Sequence, residues 1–273
     1  MPHPLIDIGV NLSHDNFGED RDAVLDRAAA AGVTRMIVTG SGDDSNEAAL
    51  RLAESHRNVL YATAGVHPHH ASSYDSVSDA RIRELARESA VVAIGECGLD
   101  YCRNFSPRDA QLAAFQAQLD IAADEKMPVF LHQRDAHDDF VEILEPMLPR
   151  LPRAVAHCFT GEGESLREFL AMNLYIGITG WICDERRGAH LQDIVSIIPD
   201  DRLMLETDAP YLLPRTLDPK PKSRRNEPAF LTEVLRVVAD ARGQSLEHVA
   251  RITTGNAMTF FDLGQESVGP SRS

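Results

Sequence analysis

The sequence predicts an α/β protein made of a single (β/α)8 TIM barrel, and three observations predict it. The length of 273 residues suits one barrel of this type. Short apolar runs alternate with helical stretches eight times along the chain. No composition break or Pro/Gly/Ser-rich linker interrupts that alternation, so the barrel is expected to span residues 1–263. The small, polar stretch 264–273 is expected to be a disordered tail.

Taken in order, the apolar runs are Leu5–Val10, Arg35–Thr39, Val59–Gly65, Val91–Ile94, Val129–His132, Ala154–His157, Leu174–Thr179 and Leu203–Glu206. Their near-continuous apolar character suits parallel strands covered by helices. The intervening helices carry their own punctuation. The first is expected to end at Gly32. Ser106-Pro107 reads as a cap followed by proline at the first helical position, with Leu112, Phe115, Leu119 and Ala122 on one face. The segment from Phe230 to Ala241 stops before Gly243, and Ser245 is expected to cap a last helix through Val249 and Ile252.

Composition narrows the functional classes. The net charge is −15, from 27 basic against 42 acidic residues. That argues against a protein that coats nucleic acid broadly, but leaves room for one local polyanion site. No apolar run reaches the roughly eighteen residues of a membrane span. The start, Met-Pro-His-Pro-Leu-Ile-Asp, lacks a basic segment followed by an apolar one, so no signal peptide is expected. Cys97, Cys102, Cys158 and Cys183 do not make a disulfide framework in so long a chain, and their spacing does not suit a cysteine zinc site. A cytoplasmic protein with no membrane contact and no obligate protein partner is expected.

The informative polar residues are positional. Asp7 with Asn11, His67, Glu96, His132, His157 and Asp208 fall at the ends of six different runs. In a barrel those ends line one mouth, so a metal site built from histidine and carboxylate is expected there. Such ligands suit Mg, Mn or Zn. The loop after the eighth run crowds Arg215, Lys220, Lys222, Arg224 and Arg225 into an otherwise acidic protein. It reads either as a solvated loop or as a phosphate clamp, and its place beside Asp208 favours the clamp. His69, His70 and His137 read as surface residues. Trp181 and Tyr211 are candidates to stack a base.

At these same positions the chain resembles the TatD family of metal-dependent deoxyribonucleases, within the wider metal-dependent hydrolases built on (β/α)8 barrels. The motifs are Asp7-Ile-Gly-Val-Asn11, Ala64-Gly-Val-His67-Pro-His69, Ile94-Gly-Glu96-Cys-Gly-Leu-Asp100, Leu131-His132-Gln-Arg134-Asp-Ala, His157-Cys-Phe-Thr-Gly161, Glu206-Thr-Asp208-Ala-Pro210-Tyr and Arg225-Asn-Glu-Pro228. The resemblance implies a cytoplasmic, Mg-dependent 3′→5′ exonuclease that favours single-stranded DNA, with RNA as a further substrate, and a role in DNA repair or turnover. It implies Glu96, His132 and His157 as core metal ligands. Asp208 would be a carboxylate that ligates metal or activates water, and His67 a histidine that meets phosphate. Glu96, His67 and Asp208 form the expected catalytic set, while Arg134, Lys222, Arg224 and Arg225 form the expected phosphate-binding set.

One departure matters. Many relatives carry His-x-His on the first strand, where this chain has Gly9 and Asn11. Asp7 and Asn11 then read as the remnant of a second metal position, and one tightly held ion is expected. Two alternatives keep the fold: an ester or amide hydrolase, such as one that clears D-aminoacyl groups from tRNA, and a non-catalytic binding protein on a degenerate barrel. The second fits poorly, because Glu96, His132, His157 and Asp208 are all present.

Overall fold

A computed structural model describes residues 4–264. The tail expected from residue 264 therefore lies outside the described residues, apart from exposed Gly264. The strands are β1 (Leu5–Val10), β2 (Val33–Val38), β3 (Leu60–Ala64), β4 (Val91–Asp100), β5 (Val129–Arg134), β6 (Ala154–Ala156), β7 (Tyr175–Ile178) and β8 (Leu203–Leu205). The helices are α1 (Arg21–Ala30), α2 (Asp43–Ser55), α3 (Ser76–Leu85), α4 (Arg108–Glu125), α5 (His137–Leu144), α6 (Gly163–Ala171), α7 (Ala189–Ile194), α8 (Leu231–Arg242) and α9 (Leu246–Phe260). The strands pair in parallel in chain order, β1 to β8, as in a barrel wound without a strand exchange.

Two main-chain bonds close the ring, Asp208 N–H to Gly9 O and Asn11 N–H to Ala209 O, both at 2.8 Å. Asp7 completes the seam. Its Oδ1 accepts the Thr207 amide at 2.9 Å and its Oδ2 the Thr207 hydroxyl at 2.5 Å. The side chain read as part of a metal remnant is thus fully buried and engaged along the β1–β8 seam, away from the cavity at the mouth. Neighbouring amides can satisfy a buried carboxylate more cheaply than bulk solvent can reach it.

That placement has a pH signature. Burial pushes the Asp7 pKa from 3.8 up to about 8, against the lowering effect of its Thr207 and Gly9 hydrogen bonds. A raised folded-state pKa contributes stability that is complete below the unfolded value and lost as pH rises through the folded value. In chelator-treated protein, wild type should therefore lose thermal stability relative to Asp7→Asn as pH climbs from 3.8 to about 8, then hold a constant difference. Parallel melting temperatures across that range would show a carboxylate that ionises as it does in water.

Two cores follow from the pleat. A large one packs the outward strand faces against the helices, with Met36, Val38, Leu131, Phe115, Phe140, Phe169 and Leu231 among its members. A smaller one joins Ile6, Ile8, Ile37, Ala93, Phe130, Val155 and Met204 to Phe260, Phe261 and Leu263. These strand residues sit mostly towards the strand starts, so α9 and its continuation plug the lower end of the barrel. The polar residues are left to the upper end.

The local expectations hold with two differences. Gly32 (φ +92°) follows α1, and Gly243 (φ +62°) ends α8 in the left-handed conformation that glycine adopts most readily. Ser245 caps α9 through the His248 amide at 3.1 Å. Ser106, however, does not cap α4: Pro107 takes that position, and the buried Ser106 hydroxyl donates to His69 O and accepts the Ser72 amide, each at 3.0 Å. The second difference is β4, which continues past Ile94 to Asp100, pairing Gly98 with His132 and Asp100 with Arg134. Gly95 and Gly98 carry it past β5, since a Cβ there would lie 2.2 Å from Phe130 O or 1.9 Å from His132 O. The register shifts between Gly95 and Cys97, a bulge that re-aims Glu96.

Candidate metal centre

The extended β4 delivers Glu96 to the centre of the mouth. Its Oε1 lies 2.8 Å from His157 Nε2, 2.9 Å from His132 Nδ1 and 3.3 Å from His67 Nε2. Glu96 and His132 lie within β4 and β5, and His157 and His67 follow β6 and β3, so topology gathers residues up to 90 positions apart (67 to 157). Burial opposes the charge on Glu96, yet the imidazoles that face it, through charge and through the hydrogen bonds of His132 and His157, outweigh it and hold its carboxyl well below the ordinary range.

Each ring is oriented from behind. His157 Nδ1 faces Glu206 Oε2 at 3.2 Å, and His132 Nε2 faces Asp100 Oδ2 at 3.3 Å. A carboxylate on the far nitrogen is what fixes a histidine to present its near nitrogen to a cation. Despite burial, the flanking carboxylates push His157 well above the usual imidazole value. Buried nitrogen and oxygen donors converging on one point, with their supports in place, fit a divalent cation. Among the described residues, His67, Glu96 and His132 present ligand atoms that all lie within 4.8 Å of one another.

His67 differs chemically from the other two. Its Nδ1 accepts the His69 amide at 3.0 Å, so in the neutral ring the proton sits on Nε2. Burial pushes its pKa down to about 4, which keeps the ring neutral at pH 7. The Nε2–H is therefore a donor at the mouth, where it faces the carboxylate oxygen of Glu96 at 3.3 Å.

Asp208 adopts φ +53° directly after β8 and lines the same cavity. The Asn11 amide donates to its Oδ1 at 3.0 Å, and burial raises its pKa from 3.8 to about 7. The cavity holds about 470 Å³.

Three residues that sequence reasoning passed over support this site. Glu206 is fully buried, since it fills the space left by Gly9 and Gly177: a Cβ at either would lie 2.4 Å from a Glu206 oxygen. Its Oε1 also accepts the Cys158 amide. As the last residue of an apolar run it looked like part of the strand. The signal was an acid at that place, two residues before Asp208. Asp100 was hidden by the unforeseen length of β4. His69, read as surface, donates from or accepts at Nε2 with Asp100 Oδ2 at 2.8 Å and lines the mouth.

The basic loop is the clearest correction. Arg225 turns away from the mouth, bonding Asp20 at 2.7 and 2.8 Å, Glu227 at 2.7 Å and Asn16 O at 2.7 Å. Two carboxylates already neutralise it, which makes it a tie between loops. Arg215 is similarly paired with Glu185 at 2.9 Å. Lys222 and Arg224 are exposed and do not line the cavity. The cations that do line it are Arg103, Arg134 and Arg187. Of these, Arg187 pairs with Asp184, whereas Arg103 and Arg134 have no carboxylate partner among the described residues.

Comparison with known proteins agrees with this architecture. A family model described as TatD related DNase matches residues 6–262. The chain is 52% identical over 259 residues to "3'-5' ssDNA/RNA exonuclease TatD" of Pantoea ananatis (strain LMG 20103), covering 95% of this chain and 100% of that one. It is 54% identical over 262 residues to the protein of the same name from Musicola paradisiaca (strain Ech703), covering 96% and 99%. Among solved structures, a hydrolase TatD family protein from Entamoeba histolytica superposes with a TM-score of 0.87 at 27% identity, covering 97% of this chain and 100% of that one. YJJV, a TatD homolog from Escherichia coli K12, superposes with a TM-score of 0.85 at 30% identity, covering 96% and 99%. With a family match from end to end of the barrel and relatives identical at every second residue, the chain belongs to the TatD related DNase family of hydrolytic nucleases.

Proposed function

We propose that this nuclease is a magnesium-dependent 3′→5′ exonuclease acting on single-stranded DNA and on RNA, with a cytoplasmic role in DNA repair or turnover. The observation that carries the reading is the convergence of His132 and His157 on Glu96, each ring backed by a buried carboxylate, beside two unpaired arginines. The names of the Pantoea ananatis and Musicola paradisiaca relatives support the polarity and the substrate. Glu96, His132, His157 and Asp208 would hold the cation, which supplies Lewis acidity and lowers the pKa of water.

The chain's own residues do the rest. His67 Nε2–H donates to a non-bridging phosphate oxygen, where negative charge builds as water attacks phosphorus. Asp208 takes the proton from that water, its rotation fixed by Asn11. One P–O ester bond breaks, and Asp208 passes the proton it took from water to the leaving oxygen. Arg103 and Arg134 hold the flanking phosphates in the place expected of the β8 loop.

Chelated protein should regain stepwise digestion of a 5′-labelled single strand from its 3′ end when Mg is restored. Imidazole donors also suit Mn and Zn, so the assay carries all three. Internal fragments appearing first would overturn the exonuclease mode, and digestion indifferent to chelation would overturn the metal. Arg103→Ala with Arg134→Ala should raise KM for an oligonucleotide by about tenfold or more, and much less for bis-p-nitrophenyl phosphate. Neutralising Lys222 and Arg224 should change neither by more than about twofold.

A further inference from the structure

We propose that Phe105 and Tyr211 form a base clamp, one stacking platform on each side of the mouth, which makes an unpaired strand end the preferred substrate. The proposal rests on the nuclease reading above and adds the element that recognises the base. Among the described residues, the exposed large apolar side chains are Val59, Val77, Phe105, Tyr211 and Leu246. Of these, Tyr211 lines the cavity and Phe105 packs against His69, which lines it too. Phe105 lies in the connection from β4 to α4 and is 69% exposed, and Tyr211 lies in the connection from β8 to α8 and is 50% exposed. In a ring ordered β1 to β8, the fourth and eighth strands are opposite each other, so the two connections lie on opposite rims, with Tyr211 lining the cavity and Phe105 packed against its wall residue His69.

Both rings are braced from behind. Phe105 meets His69 nearly edge to face, with centroids 4.8 Å apart and planes at 72°, and His69 is itself pinned by Asp100 at 2.8 Å. Tyr211 meets His14 at 5.8 Å and 85°, and its amide donates to Asp208 O at 3.0 Å. Each platform is thereby tied to a residue that lines the catalytic cavity, His69 on one side and Asp208 on the other. Trp181, the third aromatic there, is a different case. Its ring is already covered by the guanidinium groups of Arg134 and Arg187, 5.2 and 4.4 Å from the ring centre, so it forms wall and not platform.

Aromatic platforms select for strand state rather than for sequence. Every base has a π face, so stacking tolerates any of them, but a base within a duplex has both faces covered by its neighbours. A frayed or single-stranded end that crosses the mouth can lay one base on each ring; a paired end must first unstack.

The test uses the full-length, metal-loaded enzyme and two 5′-labelled single strands of one sequence, one carrying abasic sugars at its two 3′-terminal positions. Wild type should cleave the ordinary strand with kcat/KM about tenfold above the abasic one. In Phe105→Ala and in Tyr211→Ala that ratio should fall towards one, through KM rather than kcat. Phe105→Trp and Tyr211→Phe should keep it, because the π face remains. Equal losses on both strands in the alanine variants would place these rings in the fold or the chemistry and overturn the clamp. A ratio unchanged by both substitutions would mean that bases are gripped elsewhere and would overturn it too. Cleavage of neither strand by wild type would instead overturn the nuclease reading, and the clamp with it.

Discussion

Glu96→Ala and His132→Ala should each lower kcat/KM for single-stranded DNA by at least about a thousandfold, the loss of a few kcal/mol of metal-supplied stabilisation. The expectation follows from the geometry: Glu96 Oε1 lies within 3.3 Å of three imidazoles, and His132 is oriented between it and Asp100. Removing either opens the donor set at its centre. The fold should survive, because both residues sit at the cavity wall and not in either apolar core. Elemental analysis after dialysis should show metal lost along with activity, and circular dichroism should show secondary structure retained. Either variant within threefold of wild type at limiting metal would remove its residue from the metal set. Asp100→Asn and Glu206→Gln should give smaller losses, about ten- to a hundredfold in metal affinity, since they act through the rings they orient.

The other large effect concerns Gly9. Residues 9 and 11 both face the barrel axis, as their spacing on one strand implies: Asn11 reaches Asp208, and a Cβ on Gly9 would point at Glu206. From sequence alone, Gly9→His with Asn11→His would be the design to raise tight metal binding from one ion to two. The structure reverses that expectation. A Cβ on Gly9 would lie 2.4 Å from Glu206 Oε2 and 3.1 Å from Phe130 Cζ. The carboxylate cannot simply swing aside, because it is fully buried and holds both His157 and the Cys158 amide. Even Gly9→Ala should cost about 2 kcal/mol, a fall in Tm of roughly 4–8 °C, and should lower activity by displacing His157. Combined with Glu206→Ala the two losses should be less than additive by about 1 kcal/mol or more, because the second change vacates the space the first one needs. The double histidine variant should still bind one ion. An unchanged Tm for Gly9→Ala, or two tightly held ions in the histidine variant, would refute this account of the strand.

Some of this was legible in the chain. Apart from the extension of β4, the strands start and stop near the apolar runs, and Gly32, Gly243 and Ser245 act as written, because periodicity and caps are local properties fixed by neighbours in sequence. The meeting of Glu96, His132 and His157 was legible for a different reason. Each ends an apolar run, and a barrel brings strand ends to one mouth whatever the loops do. The tertiary structure alone decided the partners. Arg225 sits in the loop that sequence favoured as a clamp, yet Asp20, 205 positions away, already neutralises it. Asp7 reads as a ligand until Thr207, 200 positions on, is seen to occupy it. Glu206 acquires a role only where Gly9 and Gly177, on strands flanking its own, leave room for its carboxylate under His157. Periodicity tells where a side chain points along its own strand. Whether its charge is spent or available depends on groups brought near by chain closure, and that is settled by distance in space, where a few ångströms decide between an ion pair and a free cation.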